Sequence, residues 1–123
     1  LNCRGNRGHG IKINATAAQN IGIINPIIGG NSSPSNQSSG IYISDSVHNV
    51  FITGGRIGGD GSLGGSGSQK YGIEIDGTTH NNIRIIGTNV NSNATGAIGY
   101  NGSWGGSGNK IQFNSGTSYT KNT

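Results

Sequence analysis

Gly10-Ile11-Lys12-Ile13, Gly40-Ile41-Tyr42-Ile43 and Gly72-Ile73-Glu74-Ile75 are three copies of one pattern, set 30 and 32 residues apart. A second pattern follows each copy as Asn20-Ile21-Gly22-Ile23, Asn49-Val50-Phe51-Ile52 and Asn82-Ile83-Arg84-Ile85, and again as Lys110-Ile111-Gln112-Phe113, at spacings of 29, 33 and 28 residues. A weaker third echo runs through Ile28-Gly29, Ile57-Gly58 and Val90-Asn91. A period near 30 residues restricts the chain to repeat architectures, in which each unit buries its apolar side only against its neighbours.

Alternation chooses among those architectures. Ile11/Ile13, Ile41/Ile43 and Ile73/Ile75 each flank one variable residue, the period-two signature of a strand with one buried face. The connecting segments are rich in Gly, Ser, Asn and Thr, with no apolar three-to-four spacing long enough for a helix. Helical repeats are thereby excluded, and the pattern predicts an all-β coil. It has three short parallel strands per turn, with equivalent residues stacked about 4.8 Å apart. Ala97-Ile98-Gly99-Tyr100 takes the place of the first strand in the last turn, with Ile98 and Tyr100 inward. The segment is read as one domain, residues 1–123, with turns at 9–39, 40–71, 72–95 and 96–121. Its opening, Leu1 to Arg4, reads as the tail of a preceding turn, so a piece of a longer column is expected.

Asn20, Asn49 and Asn82 each stand immediately before a second strand, and Asn109 stands close to the last. Asn tolerates left-handed dihedrals at tight corners, and stacked amides hydrogen-bond from rung to rung, so a ladder is expected there. Such a coil also explains the composition. A chain with 25 Gly, 29% hydrophobic and 10% charged residues is poorly supplied for a globular core. A narrow interior lined by in-register Ile needs little more. Thirteen residues separate Ile98 from Ile111, against ten between Ile73 and Ile83, so residues 101–108, with Trp104, are expected to bulge by three extra residues. Gly-rich excursions at 29–39 and 58–70 leave one corner of successive turns.

The Gly-Ile-x-Ile starts at 10, 40 and 72, the Asn-Ile/Val-x-Ile strands at 20, 49 and 82, and the Ile-Gly-Gly corners at 28 and 57 resemble a known group. That group is the right-handed parallel β-helices of bacteriophage tailspikes and appendages, relatives of the pectate-lyase-like polysaccharide enzymes. The resemblance spans about residue 9 to residue 114 and rests on structural positions. It implies a right-handed coil and a homotrimer of columns on a virion tail or appendage, joined there to other virion proteins. It also implies a module that binds bacterial surface polysaccharide or cuts it. A secreted polysaccharide enzyme, hydrolase or lyase, is the alternative, so whether the chain is an enzyme stays open.

Chemistry must come from outward positions. Lys12, Tyr42 and Glu74 stack on the first strand, and Gly22, Phe51, Arg84 and Gln112 on the second. Glu74 and Asp76 share one strand face about 7 Å apart at the backbone, within the range for the acid and base, or acid and nucleophile, of glycoside hydrolysis. They are the candidate catalytic pair. Tyr42 and Trp104 offer stacking faces to a sugar, and Arg84 a cation to an acidic one, with a lyase role beside Glu74. The same face can equally be solvated or packed on a neighbouring subunit. Asp45 and Asp60 lie near corners without an evident partner.

Other signals lack context. Gly59-Asp60-Gly61-Ser62-Leu63-Gly64 matches a dinucleotide-binding glycine pattern, but no helix follows. His9, His48 and His80 fall at no common stack position and read as turn or loop residues, so neither metal nor other cofactor is expected. Cys3 is single, which excludes an internal disulfide. The net charge of +4 suits an acidic glycan, whereas nucleic acid is not expected because the eight basic residues form no stripe. No apolar run approaches the length of a membrane span.

Overall fold

The computed structural model describes residues 1–14, 18–31, 38–58, 69–91, 93–101 and the backbone of 110–112. Asp60, Trp104, Asn109, Phe113 and most of the three Gly-rich excursions lie outside these residues.

The described residues form strands and no helix. In chain order these are β1 (Asn2–Arg4), β2 (Ile11–Ile13), β3 (Gln19–Ile24), β4 (Ile27–Gly29), β5 (Ile41–Ile43) and β6 (His48–Thr53). There follow β7 (Arg56–Ile57), β8 (Tyr71–Asp76), β9 (Asn81–Ile86), β10 (Asn89–Val90), β11 (Gly96–Asn101) and β12 (Lys110–Gln112). Every third strand belongs to one sheet. Sheet A is β1-β4-β7-β10, sheet B β2-β5-β8-β11 and sheet C β3-β6-β9-β12, all with parallel pairing. The three echoes of the sequence are these three sheets, and Asn2–Arg4 supplies the first strand of sheet A.

Register follows the repeat. Ile11, Ile41, Ile73 and Ile98 lie opposite one another in sheet B, as do Ile13, Ile43, Ile75 and Tyr100. In sheet C the columns are Ile21-Val50-Ile83 and Ile23-Ile52-Ile85, and in sheet A Cys3-Ile28-Ile57-Val90. These columns meet in one apolar cluster whose middle members are fully buried.

The last turn departs from expectation. Lys110 lies opposite Arg84, Ile111 opposite Ile85 and Gln112 opposite Ile86, two residues from the alignment that the sequence suggests. A two-residue slip leaves every side chain on its own face, so alternation cannot detect it. With this register, twelve residues separate Ile73 from Ile85 and thirteen separate Ile98 from Ile111, so the last corner is longer by one residue, not three. Gln112 therefore drops out of the Phe51-Arg84 column.

Each repeat glycine lies where sheet A comes close to the start of a sheet B strand. A Cβ on Gly10 would lie 2.7 Å from Ile28 Cγ2 and 2.8 Å from the Gly40 carbonyl oxygen. One on Gly40 would lie 2.7 Å from Ile57 Cγ2, and one on Gly72 would overlap Val90. The inward residue of sheet A thus fills the space a side chain would need, and only glycine lets the chain turn into sheet B that tightly. Glycine and the isoleucine after it both face inward, which sends the residue before them outward.

Two amide ladders hold the corners. Asn20, Asn49 and Asn82 adopt φ of 60°, 54° and 54°, and each amide donates to the one below, Asn49 to Asn20 at 3.2 Å and Asn82 to Asn49 at 3.0 Å. The second ladder has no sequence signature. Asn6 donates to Asn31 (2.9 Å), Asn31 to Gln69 (3.3 Å) and Gln69 to Asn93 (2.7 Å), behind the glycine column. Asn31 and Gln69 are buried, so each satisfies a group that would otherwise be costly to desolvate.

The histidines are more deeply built in than turn residues. Nδ1 of His9 accepts the Ser39 N–H (2.9 Å), and Nδ1 of His48, the first residue of β6, accepts the Asn81 N–H (3.2 Å). His80 is buried in the corner position that Ala18 and Val47 hold in the turns below. Burial lowers the basicity of His80 and His9 below the usual 6.5. At the same corner Oδ1 of Asp45 accepts the Thr78 N–H (2.9 Å), the Thr79 N–H (2.8 Å) and the Thr79 hydroxyl (2.8 Å). The Thr79 bonds lead in holding its pKa down at about 2.

Stability is therefore expected to fall in two acid steps. The unfolded chain takes up histidine protons near pH 6.5 that the folded chain resists, so stability is full above that value and declines as pH drops below it. The Asp45 contribution is present above 3.8 and lost between 3.8 and about 2. Urea midpoints measured against pH are expected to show both steps, with His80→Val reducing the first alone. Gln69→Leu breaks the buried ladder and is expected to cost about 1–3 kcal/mol in the same assay.

Candidate functional site

Sheet B presents the chemistry. Parallel pairing places Lys12, Tyr42 and Glu74 side by side on its outer face, with Gly99 next. Asp76 and its neighbour Asn101 follow one pleat along the same face. The residues that precede the repeat glycines, His9, Ser39 and Tyr71, are sent outward beside this column.

Glu74 faces away from the core yet is only 3% exposed. Its Oε2 accepts the Ser39 hydroxyl at 2.6 Å, and its Oε1 takes Lys70 Nζ at 3.1 Å and Asn101 Nδ2 at 2.9 Å. Lys70 Nζ also lies 5.1 Å from the centroid of the Tyr71 ring, and that ring covers Gly99, where a Cβ would come within 2.5 Å of it. Glu74 thus ties the segment before β5 to β8 and β11. To protonate a glycosidic oxygen it would first have to release Ser39, Lys70 or Asn101. The outward acid read from the sequence is enclosed within the chain itself, because Ser39, Lys70 and Asn101 converge on it.

Asp76 is different, since it is half-buried and its Oδ2 accepts the Tyr42 hydroxyl at 2.6 Å. That bond is the main reason the Tyr42 phenol is pushed up to about 12 and keeps its proton. The His9 ring lies against Tyr42 with centroids 4.7 Å apart and planes tilted by 32°. Lys12 Nζ stands 5.6 Å from the Tyr42 ring centroid. The result is a half-exposed aromatic pair with a cation on one side and a carboxylate on the other. Such a surface can pack the C–H face of a sugar while Asp76 accepts hydroxyls.

The structure brings Tyr42, Glu74 and Asp76 together and leaves Arg84 apart. Arg84 is exposed on the outer face of sheet C, between Phe51 and the register position of Lys110. The expected pairing of Arg84 with Glu74 is therefore replaced by Lys70. Trp104 falls outside the described residues. His9, Ser39, Lys70 and Asn101 were not singled out from the sequence. Their signal is position: His9 and Ser39 precede repeat glycines, Lys70 stands four residues before Glu74, and Asn101 ends the strand paired with β8.

Among the described residues no three His, Cys, Asp or Glu side chains cluster as a metal site, and no helix is long and apolar enough to cross a membrane. Comparison with protein-family models, curated proteins and solved structures finds no match to this chain.

Glu74→Gln is expected to lower unfolding stability by about 1–3 kcal/mol, because it leaves Lys70 without its partner. In a Lys70→Met background the same change is expected to cost less. A double-mutant cycle followed by urea unfolding measures the difference.

Proposed function

We propose that the chain is a segment of a right-handed parallel β-helix, akin to those of bacteriophage tailspikes and appendages, that binds bacterial surface polysaccharide on the outer face of sheet B. The cyclic order of the three sheets supports the coil. The observation that carries the function is the Tyr42 site, a half-exposed phenol held by Asp76 and flanked by His9 and Lys12. Aromatic rings beside fixed acceptors are what a sugar ring needs, and a short rigid column presents them without loop ordering. In this reading the protein works as a homotrimer on the virion, and it holds the glycan without cutting it.

A cutting function, with Glu74 and Asp76 as the carboxylate pair, competes because both lie on one face of β8. Glu74 favours binding over cutting, since its oxygens are already engaged by three donors.

Purified capsules and lipopolysaccharides, incubated with the protein and then sized, separate the two. Binding is expected with no shortening of the polymer, and Tyr42→Ala is expected to abolish it at unchanged fold. Shortening that Glu74→Gln and Asp76→Asn both abolish would establish the enzyme instead. Light scattering is expected to give a trimer mass, which a stable monomer would contradict.

A further inference from the structure

The polar groups around Tyr42 differ in what they have left to offer. Lys70 is engaged by Glu74. The Tyr42 hydroxyl is engaged by Asp76, and His9 accepts the Ser39 N–H through Nδ1. Lys12 is exposed and meets no carboxylate among the described residues, and its charge is held beside the Tyr42 ring. Asp76 keeps Oδ1 without a partner among those residues. The site therefore offers one ready cation, one ready carboxylate oxygen and an aromatic surface between them.

That order has a chemical consequence. A lysine ammonium is a point charge, and its contact with the ring limits the freedom of its long stem before any ligand arrives. Asp76 accepts neutral hydroxyls but repels an anion, so an anionic sugar fits only with its charge toward Lys12. A single available cation matches a single negative charge better than a phosphate dianion, which would also face Asp76.

Given the glycan-binding reading above, on which this rests, we infer that the polysaccharide carries carboxylates, as uronic-acid units do, and that Lys12 is the residue that selects them. A sugar ring lies along the Tyr42–His9 pair, its carboxylate on Lys12 Nζ and its hydroxyls on Asp76 Oδ1. The positive net charge of the whole chain works in the same direction by drawing a polyanion to the surface.

Calorimetry on the full chain with polygalacturonate, alginate and hyaluronan, each beside its carboxyl-reduced neutral form, tests the inference. The wild type is expected to prefer the acidic form of the polymer it binds, and added salt is expected to erase that preference. Lys12→Gln is expected to weaken the acidic form about fivefold, the upper range for an exposed charge pair. It should leave the neutral form unaffected, and Lys12→Arg should restore the difference. Lys12 is exposed, so its variants are expected to unfold in urea like the wild type. Equal binding of acidic and neutral forms, or equal weakening of both by Lys12→Gln, overturns the carboxylate inference while glycan binding stands. Absence of binding to every polymer, the capsules and lipopolysaccharides above included, overturns the glycan-binding reading and this inference with it, whereas binding untouched by Tyr42→Ala overturns the Tyr42 site and the role of Lys12 there.

Discussion

The close approach of sheet A to the start of sheet B is the contact on which the other features depend. Ile28, Ile57 and Val90 reach into the space beside Gly10, Gly40 and Gly72, so the corner between the sheets has no room for a side chain. Three consequences follow. Glycine and the next isoleucine both face inward, which shifts the alternation and turns His9, Ser39 and Tyr71 outward. The corner becomes shallow enough for Asn31, Gln69 and Asn93 to lie against the glycines, within 2.9 Å of where each Cβ would be. The outward residues then enclose Glu74. A packing constraint between the inner faces of the sheets therefore shapes the chemistry on the outer face of sheet B.

What the sequence made legible was the inside. Inward residues meet their own equivalents in the turns above and below, so a stack of like residues appears in the chain as a repeat. The Asn20-Asn49-Asn82 ladder was legible for the same reason, since a left-handed corner selects the same residue each time. The buried ladder was not. Its steps span 25, 38 and 24 residues because Gly-rich excursions of different length intervene, and Asn exchanges with Gln without loss of the bond. His80 was hidden by residue type, as nothing in an imidazole announces that it shares a column with Val47. The slip of β12 was hidden by symmetry, because alternation fixes a face and leaves register open by multiples of two.

The candidate site was half legible. Period-two alternation put Lys12, Tyr42, Glu74 and Asp76 on one face, and the pairing of β2, β5 and β8 bears that placement out. Facing outward says nothing of exposure, however. Exposure depends on neighbours in sequence that fold over the sheet, and on neighbours in space such as Asn101 that arrive from another turn. Arg84 shows the converse, an outward cation whose sheet faces away from the carboxylates it was expected to serve.

Glu74 and Asp76 show how much the surroundings decide. They lie on the same strand and the same face, two residues apart, and an isolated strand would make them equivalent. Glu74 sits where Lys70, Ser39 and Asn101 converge, so its charge is consumed in holding turns together. Asp76 sits at the strand end, where one donor reaches it and one oxygen is left over. A fully engaged carboxylate and one with an oxygen to spare are thus separated by a single pleat. Sheets whose inner faces repeat so strictly have little freedom to vary inside, and their distinctiveness must come from such differences between adjacent outward positions. Tyr42 and Lys12 lie one and two strands away from Glu74 in the same outward column, yet Tyr42 is half-exposed and Lys12 exposed, and the positions four residues before them hold Ser38 and Gly8 where Glu74 has its partner Lys70.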